Sequence, residues 1–197
     1  METGDIAWML TASALVLLMT PGLAFFYGGL VRGRNILNTI MYSFMAMAVA
    51  SVVWVLWGYS LAFGEGNAWI GDFSRLGLSG LDVHEDSEEL LFVIFQGMFA
   101  IITPALITGA IVERFKFTTY LVFLVLWLTL VYAPIAHWVW AGEGWLFKDG
   151  ALDFAGGTVV HINAAVAAVV AAFLVGKRRN PALEPSNVPY VVLGAGI

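Results

Sequence analysis

The stretch Phe154-Ala155-Gly156-Gly157-Thr158-Val159-Val160-His161-Ile162-Asn163-Ala164-Ala165-Val166-Ala167-Ala168-Val169-Val170-Ala171-Ala172-Phe173-Leu174-Val175 decides the fold. Its side chains are almost all apolar or small, with Thr158, His161 and Asn163 as the polar exceptions. About 20 such residues, rising 1.5 Å each as a helix, cross a hydrocarbon core about 30 Å thick. An acid, Asp153, stands immediately before the run, and Lys177, Arg178 and Arg179 follow it. The two ends of this span therefore carry opposite charge.

Four more runs have the same character. With the first they lie at about residues 6–31, 36–63, 90–112, 118–141 and 154–175, and a partial sixth occupies 188–197. They predict an all-α, polytopic transmembrane helical bundle in a single membrane domain, residues 1–197. The sixth run is too short to span, so the chain is expected to stop inside that element. Composition agrees: 60% of residues are hydrophobic and 12% charged, against about 25% charged in an ordinary globular domain. With no cysteine, disulfide frameworks and Cys-based metal or redox sites are excluded.

The net charge of -5 says less than its distribution. Basic residues gather at Arg32 and Arg34, at Arg114 and Lys116, and at Lys177, Arg178 and Arg179, which are alternate loops and therefore expected to be cytoplasmic. Acids favour the opposite loops, from Asp82 to Glu89 and at Glu143, Asp149 and Asp153. The expected location is a cell membrane, plasma or inner, with the N-terminus outside. An acidic start and a long first run argue against a cleaved signal peptide. Only Arg75 and Lys148 break the pattern.

Polar residues inside spans are costly and point to paths or packing. His137, beside Trp138 and Trp140, reads as an interfacial residue with its ring tip bonded near the headgroups. His161 lies about 12 Å of helical rise beyond Asp153 in an apolar segment, and reads either as a pathway-lining group or as a ring bonded to a backbone carbonyl. Asp153 sits where a carboxylate caps free N–H groups at a helix start, and could also lower the local potential for a cation. Phe95 and Phe99, four residues apart, share one helix face, with Trp140 at the same outer level. An interfacial aromatic belt would account for Trp140, but less well for Phe99, about 13 Å below the end of its span.

These stretches resemble the ammonium transporter, methylammonium permease and Rhesus protein family. The likeness rests on Phe26-Tyr27-Gly28-Gly29-Leu30-Val31-Arg32, on Phe95-Gln96-Gly97-Met98-Phe99-Ala100, on Gly109-Ala110 with Glu113-Arg114, and above all on Ala151 to Asn163. It implies transport of ammonium or ammonia, with methylammonium as a further substrate, and no enzymatic activity. It also implies an inverted repeat of five spans, of which this chain supplies the first copy, and a homotrimer in membrane lipid with a PII-type cytoplasmic regulator. By the same resemblance Phe95, Phe99 and Trp140 form an outer recruitment site, with Phe99 also a gate ring. His161 is then the first of two pore histidines, and Asp153 the structural aspartate of the vestibule. The family's recruitment serine, second gate phenylalanine and second pore histidine belong to spans beyond Ile197. No cofactor and no nucleic-acid partner is expected. Two other readings stand beside this one: an ammonium-sensing module that binds without conducting, and a haem protein ligated by His137 and His161.

Overall fold

The computed structural model describes residues 2–178 and 185–197, and among these residues helices are the only regular structure. Five are long and apolar enough to cross a membrane: Thr3–Leu30, Gly33–Phe63, Ser87–Ile111, Phe117–Lys148 and Gly157–Val175. They match the expected runs to within a few residues at most ends, and the chain is a multi-pass membrane protein. The spanning part of the fourth ends at Trp140, where Ala141 turns extended, and Trp145–Lys148 forms a short separate helix. A last helix, Val188–Gly196, lies along the first span. Arg179, counted among the basic residues, falls outside the described residues.

The third span is the most buried and packs against the first, second and fifth. Lipid tails are as apolar as leucine, so close contact and hydrogen bonds, rather than expulsion from water, hold such helices together. Ala24, Ala46, Ala50, Ala100, Ala105 and Ala133 are accordingly fully buried. A Cβ at Gly109 would fall 2.6 Å from Cζ of Tyr27, and one at Gly97 would fall 3.0 Å from Cδ1 of Trp54. Both rings then bond to the third span: the Tyr27 hydroxyl donates to the Leu106 carbonyl at 3.1 Å and Trp54 Nε1 to that of Val93 at 3.0 Å. The glycines of two quoted motifs thus serve as seats for aromatic rings.

Among the described residues three π-helical turns interrupt the α-helices, at Trp54–Gly58, Leu128–Tyr132 and Gly157–Ile162. Pro134 explains the second. Its ring crowds the carbonyl four residues back and offers it no N–H, and a wider turn just before the proline relieves both problems. Pro21 and Pro104 instead sit within continuous α-helix. Beside Pro104 the Thr103 hydroxyl donates to the Phe99 carbonyl at 2.5 Å, adding a bond where the helix ladder loses one.

The two basic residues that break the charge pattern are both paired at the acidic end, Arg75 with Glu89 at 3.3 Å and Lys148 with Glu143 at 2.6 Å. His137 departs from expectation. It is completely buried, with Nδ1 2.9 Å from the Ala62 carbonyl and Nε2 2.6 Å from that of Asn67. The cause is the loop after the second span, which folds back over the fourth and carries Asn67 onto the ring. A haem iron could bind either nitrogen only by displacing a backbone carbonyl from a fully enclosed ring, which removes the geometric basis of the haem reading.

At the opposite end Glu113 has a left-handed backbone, φ 65°. That turn aims its carboxylate inward, where Oε1 accepts from Asn35 Nδ2 at 2.6 Å. Oε2 lies 3.4 Å from a guanidinium nitrogen of Arg32 and 3.6 Å from one of Arg178. Burial pushes the Glu113 carboxyl up, but Asn35, the Arg32 N–H and the two arginines together outweigh it, and the group stays below the usual carboxylate range. A carboxyl whose folded pKa is depressed contributes stability that is present above its unfolded pKa and lost as pH falls through the folded one. Acidification below about pH 4 is therefore expected to lower the Tm of the protein in detergent. Glu113→Gln should lower Tm at neutral pH and flatten this acid limb. Identical pH slopes in the two proteins would remove Glu113 from the account.

Candidate aromatic site and its relatives

The third span sets the geometry by presenting Phe95 and Phe99 one turn apart. Their rings meet edge to face, with centroids 5.0 Å apart at 84°. Phe99 also meets Trp140, the last residue of the fourth span, at 5.6 Å and 64°. Phe99 is thus the middle ring of three. The helix spacing made the first contact legible; the second depends on where the fourth span ends.

Trp140 is held by a single polar bond. Its Nε1 donates to the backbone carbonyl of Asp153 at 2.9 Å. The Asp153 carboxylate in turn accepts from the N–H groups of Gly157 at 2.7 Å, Thr158 at 2.8 Å and Val159 at 3.0 Å. These are donors at a helix start, which otherwise lack intrahelical partners. The sequence reading of Asp153 as a cap therefore holds. Between the aspartate and the helix, Gly156 turns left-handed at φ 81°, where a Cβ would fall 2.6 Å from Cγ2 of Val160. Only glycine fits there without displacing Val160.

Asp153 thus serves two elements at once, its side chain starting the fifth span and its carbonyl orienting the indole of the fourth. Next to Phe95 in the chain, the Gln96 side-chain oxygen is buried without a hydrogen-bond partner among the described residues, and the Tyr132 hydroxyl is buried near Thr103. Sequence reasoning passed over both, because a tyrosine or glutamine in a span gives no sign of whether its polar tip will find a partner.

His161 stands apart from this cluster. It lies in the π-turn that opens the fifth span, its N–H donating to the Gly156 carbonyl at 2.9 Å. Its side chain is exposed, and its ring makes no hydrogen bond among the described residues. The alternative of a ring bonded to a backbone carbonyl is thus not realised. Asn163, two residues on, points the other way: it is buried and donates to the Val159 carbonyl at 3.1 Å. The structure therefore brings Phe95, Phe99, Trp140 and Asp153 into one contiguous cluster and leaves His161 on a separate, exposed face. Around it Ile162 and Val166 are exposed as well.

The sequence profile of the Ammonium Transporter Family matches residues 7–197. Similar curated proteins include the ammonium transporter of Aquifex aeolicus, 52% identical over all of this chain and 48% of that protein, and the one of Bacillus subtilis, 49% identical over all of this chain and 50% of that protein. Among solved structures, Mep2 of Candida albicans superposes with a TM-score of 0.89 at 38% identity, covering 98% of this chain and 45% of that one. A structure described as Sensor Amt Protein gives a TM-score of 0.89 at 28% identity, covering 98% of this chain and 51% of that one. The chain spans about half the length of the curated relatives it matches. Matched from residue 7 to its last residue, and alike in sequence and in the path of its helices, the chain belongs to the ammonium transporter family.

Proposed function

We propose that this chain is a single membrane domain, the first copy of an inverted five-span repeat, and supplies one wall of a path for ammonium and ammonia. The observation that carries the reading is the triplet of rings with Phe99 in edge contact with both Phe95 and Trp140. A ring face attracts a cation by about 2 kcal/mol when water is excluded. Transferring an ammonium-sized ion into a medium of low dielectric costs on the order of 20 kcal/mol in the idealised limit. The rings can therefore select ammonium at the mouth but cannot carry the intact ion past Phe99. Deprotonation there leaves ammonia to cross, with His161 lining the path beyond. Asp153 acts structurally, holding the Trp140 ring in position.

In this reading the N-terminus lies outside and the arginine-rich end is cytoplasmic. Methylammonium as a second substrate, a homotrimer and a PII-type regulator belong to it on grounds of family. A second reading, an ammonium sensor that binds without conducting, is favoured by the likeness to the Sensor Amt Protein. Ammonium binding with no flux into proteoliposomes would select it.

Membrane-impermeant reagents test the orientation. Single cysteines at residues 64–86 should react from outside and one beside Arg178 only after permeabilisation; outside labelling at Arg178 sinks the topology.

Trp140→Leu keeps apolar bulk but removes the ring face, so apparent affinity for ammonium should fall on the order of tenfold, with protein level unchanged. Uptake competed with methylammonium measures it. Wild-type kinetics would leave Trp140 an ordinary interfacial ring.

His161→Ala removes a polar ring from an exposed face without breaking a hydrogen bond. Flux or its proton coupling should change while Tm and assembly stay near the parent values. A variant that only misassembles would make the residue structural.

A further inference from the structure

Trp54 of the second span is buried, and its indole is wedged between two glycines. A Cβ at Gly97 of the third span would fall 3.0 Å from its Cδ1 and 3.2 Å from its Nε1, and one at Gly58 of its own span would fall 3.1 Å from its Cε3. Nε1 donates to the Val93 carbonyl at 3.0 Å, which fixes the ring against the third span. The same indole meets Tyr132 of the fourth span edge to face, with centroids 6.2 Å apart at 68°. Three residues on, Trp57 Nε1 donates to Thr129 Oγ1 of the fourth span at 2.9 Å. The second span thus holds both of the spans that carry the aromatic cluster.

At about 100° per residue, Gly97 lies about 180° round the third span from the middle of the face that Phe95 and Phe99 share. Val93, four residues before Gly97, lies on the same side as it. Trp54 therefore backs the third span directly behind the two rings. Trp140, in front of them, is tethered separately, through Nε1 to the Asp153 carbonyl. With the front ring held from one side and the helix braced from the other, the bulk of the Trp54 indole sets how closely Phe99 approaches Trp140. The π-turn that Trp54 opens contains no proline to account for it, and such turns are frequent at functional sites.

We propose that Trp54, seated on Gly97, is a positioning residue of the aromatic site, whose bulk sets the gap between Phe99 and Trp140 and with it the size of amine cation preferred there. The inference rests on the reading of that cluster as the recruitment site. A smaller ring at Trp54 lets the third span settle back and widens the gap, which favours methylammonium. A methyl group added at Gly97 meets an indole that Gly58 leaves no room to yield, so the third span moves forward by about a few tenths of an ångström and the gap narrows, which favours ammonium.

The test is competed uptake of ammonium and methylammonium by Trp54→Phe, Gly97→Ala and the two combined, with Trp140→Leu alongside. A whole methylene in a fitted pocket counts for about tenfold or more, so this partial change should move the ratio of apparent affinities about threefold. The preference for ammonium should fall in Trp54→Phe and rise in Gly97→Ala. The combined variant, in which the new methyl fills space that the indole vacates, should return to the parent ratio. A merely structural role would lower Tm or protein level without moving the ratio in opposite directions. Parent ratios in the single variants, or shifts of the same sign in both, overturn the proposal; if Trp54→Phe fails to fold, the ratio in Gly97→Ala decides. Parent kinetics in Trp140→Leu would remove the recruitment site and this inference with it. Altered kinetics there beside unmoved ratios in the other variants would refute the positioning role alone.

Discussion

Hydrocarbon offers the backbone no hydrogen bonds, so every N–H and carbonyl within a span must find its partner inside the protein. Most of the distinctive local structure in this chain answers that requirement. The π-turn at Leu128–Tyr132 relieves the crowding around Pro134, and the Thr103 hydroxyl adds a bond beside Pro104. At the start of the fifth span the Asp153 carboxylate takes three N–H groups that no carbonyl within the helix could reach. Because the same residue's carbonyl receives Trp140 Nε1, the solution to a backbone problem also orients one ring of the aromatic cluster. An aspartate needed to begin a helix thereby also fixes an aromatic ring, with its carboxylate already taken up by backbone N–H groups.

The two span histidines show how burial and exposure divide roles. His137 is enclosed, and both of its nitrogens face carbonyls from the second span and the loop after it, so it ties that loop to the fourth span. The aromatic group of Trp69, Trp138 and Trp145 closes over the same corner, with Trp138 Nε1 donating to the Trp69 carbonyl at 2.6 Å. His161 has none of these ties. A polar ring is expensive in lipid, and in the proposed reading this exposed ring faces the path instead.

What the sequence could and could not reveal follows from the range of the forces involved. Spans were legible because solvation by lipid is a property of a run of residues and needs no tertiary partner. The Phe95 and Phe99 pair and the Asp153 cap were legible for a similar reason, being set by helical spacing or by the nearest N–H groups. The Trp140 bond to Asp153 was not, since a backbone carbonyl exists at every residue and only the path of the connecting loop selects one. His137 was read as interfacial from its distance to the end of the span; the fold-back of residues 64–71, invisible to local reasoning, buried it. Two of the three π-turns, Trp54–Gly58 and Gly157–Ile162, left no trace in hydropathy, because a residue added to a helical turn changes neither its polarity nor its length appreciably.

Charge at the two ends follows the same distinction between near and far. Arg75 and Lys148 sit among acids and are neutralised where they stand, so neither contradicts an orientation set by the remaining basic residues. Arg32, Arg114 and Arg178 come from three different loops and look in sequence like separate topology signals. In the fold they converge around one carboxylate, because the third span ends in a left-handed turn at Glu113 between the ends of the first and fifth. Repulsion among cations so close grows as water is removed from them. Glu113 offsets that repulsion between Arg32 and Arg178, and Arg114 turns its guanidinium to the carbonyls of Gly176 and Ala110. Orientation in the membrane requires only that basic residues lie on one side, and it gives no reason for them to meet. The carboxylate supplies that reason, since it ties Arg32 after the first span and Arg178 after the fifth to the end of the third.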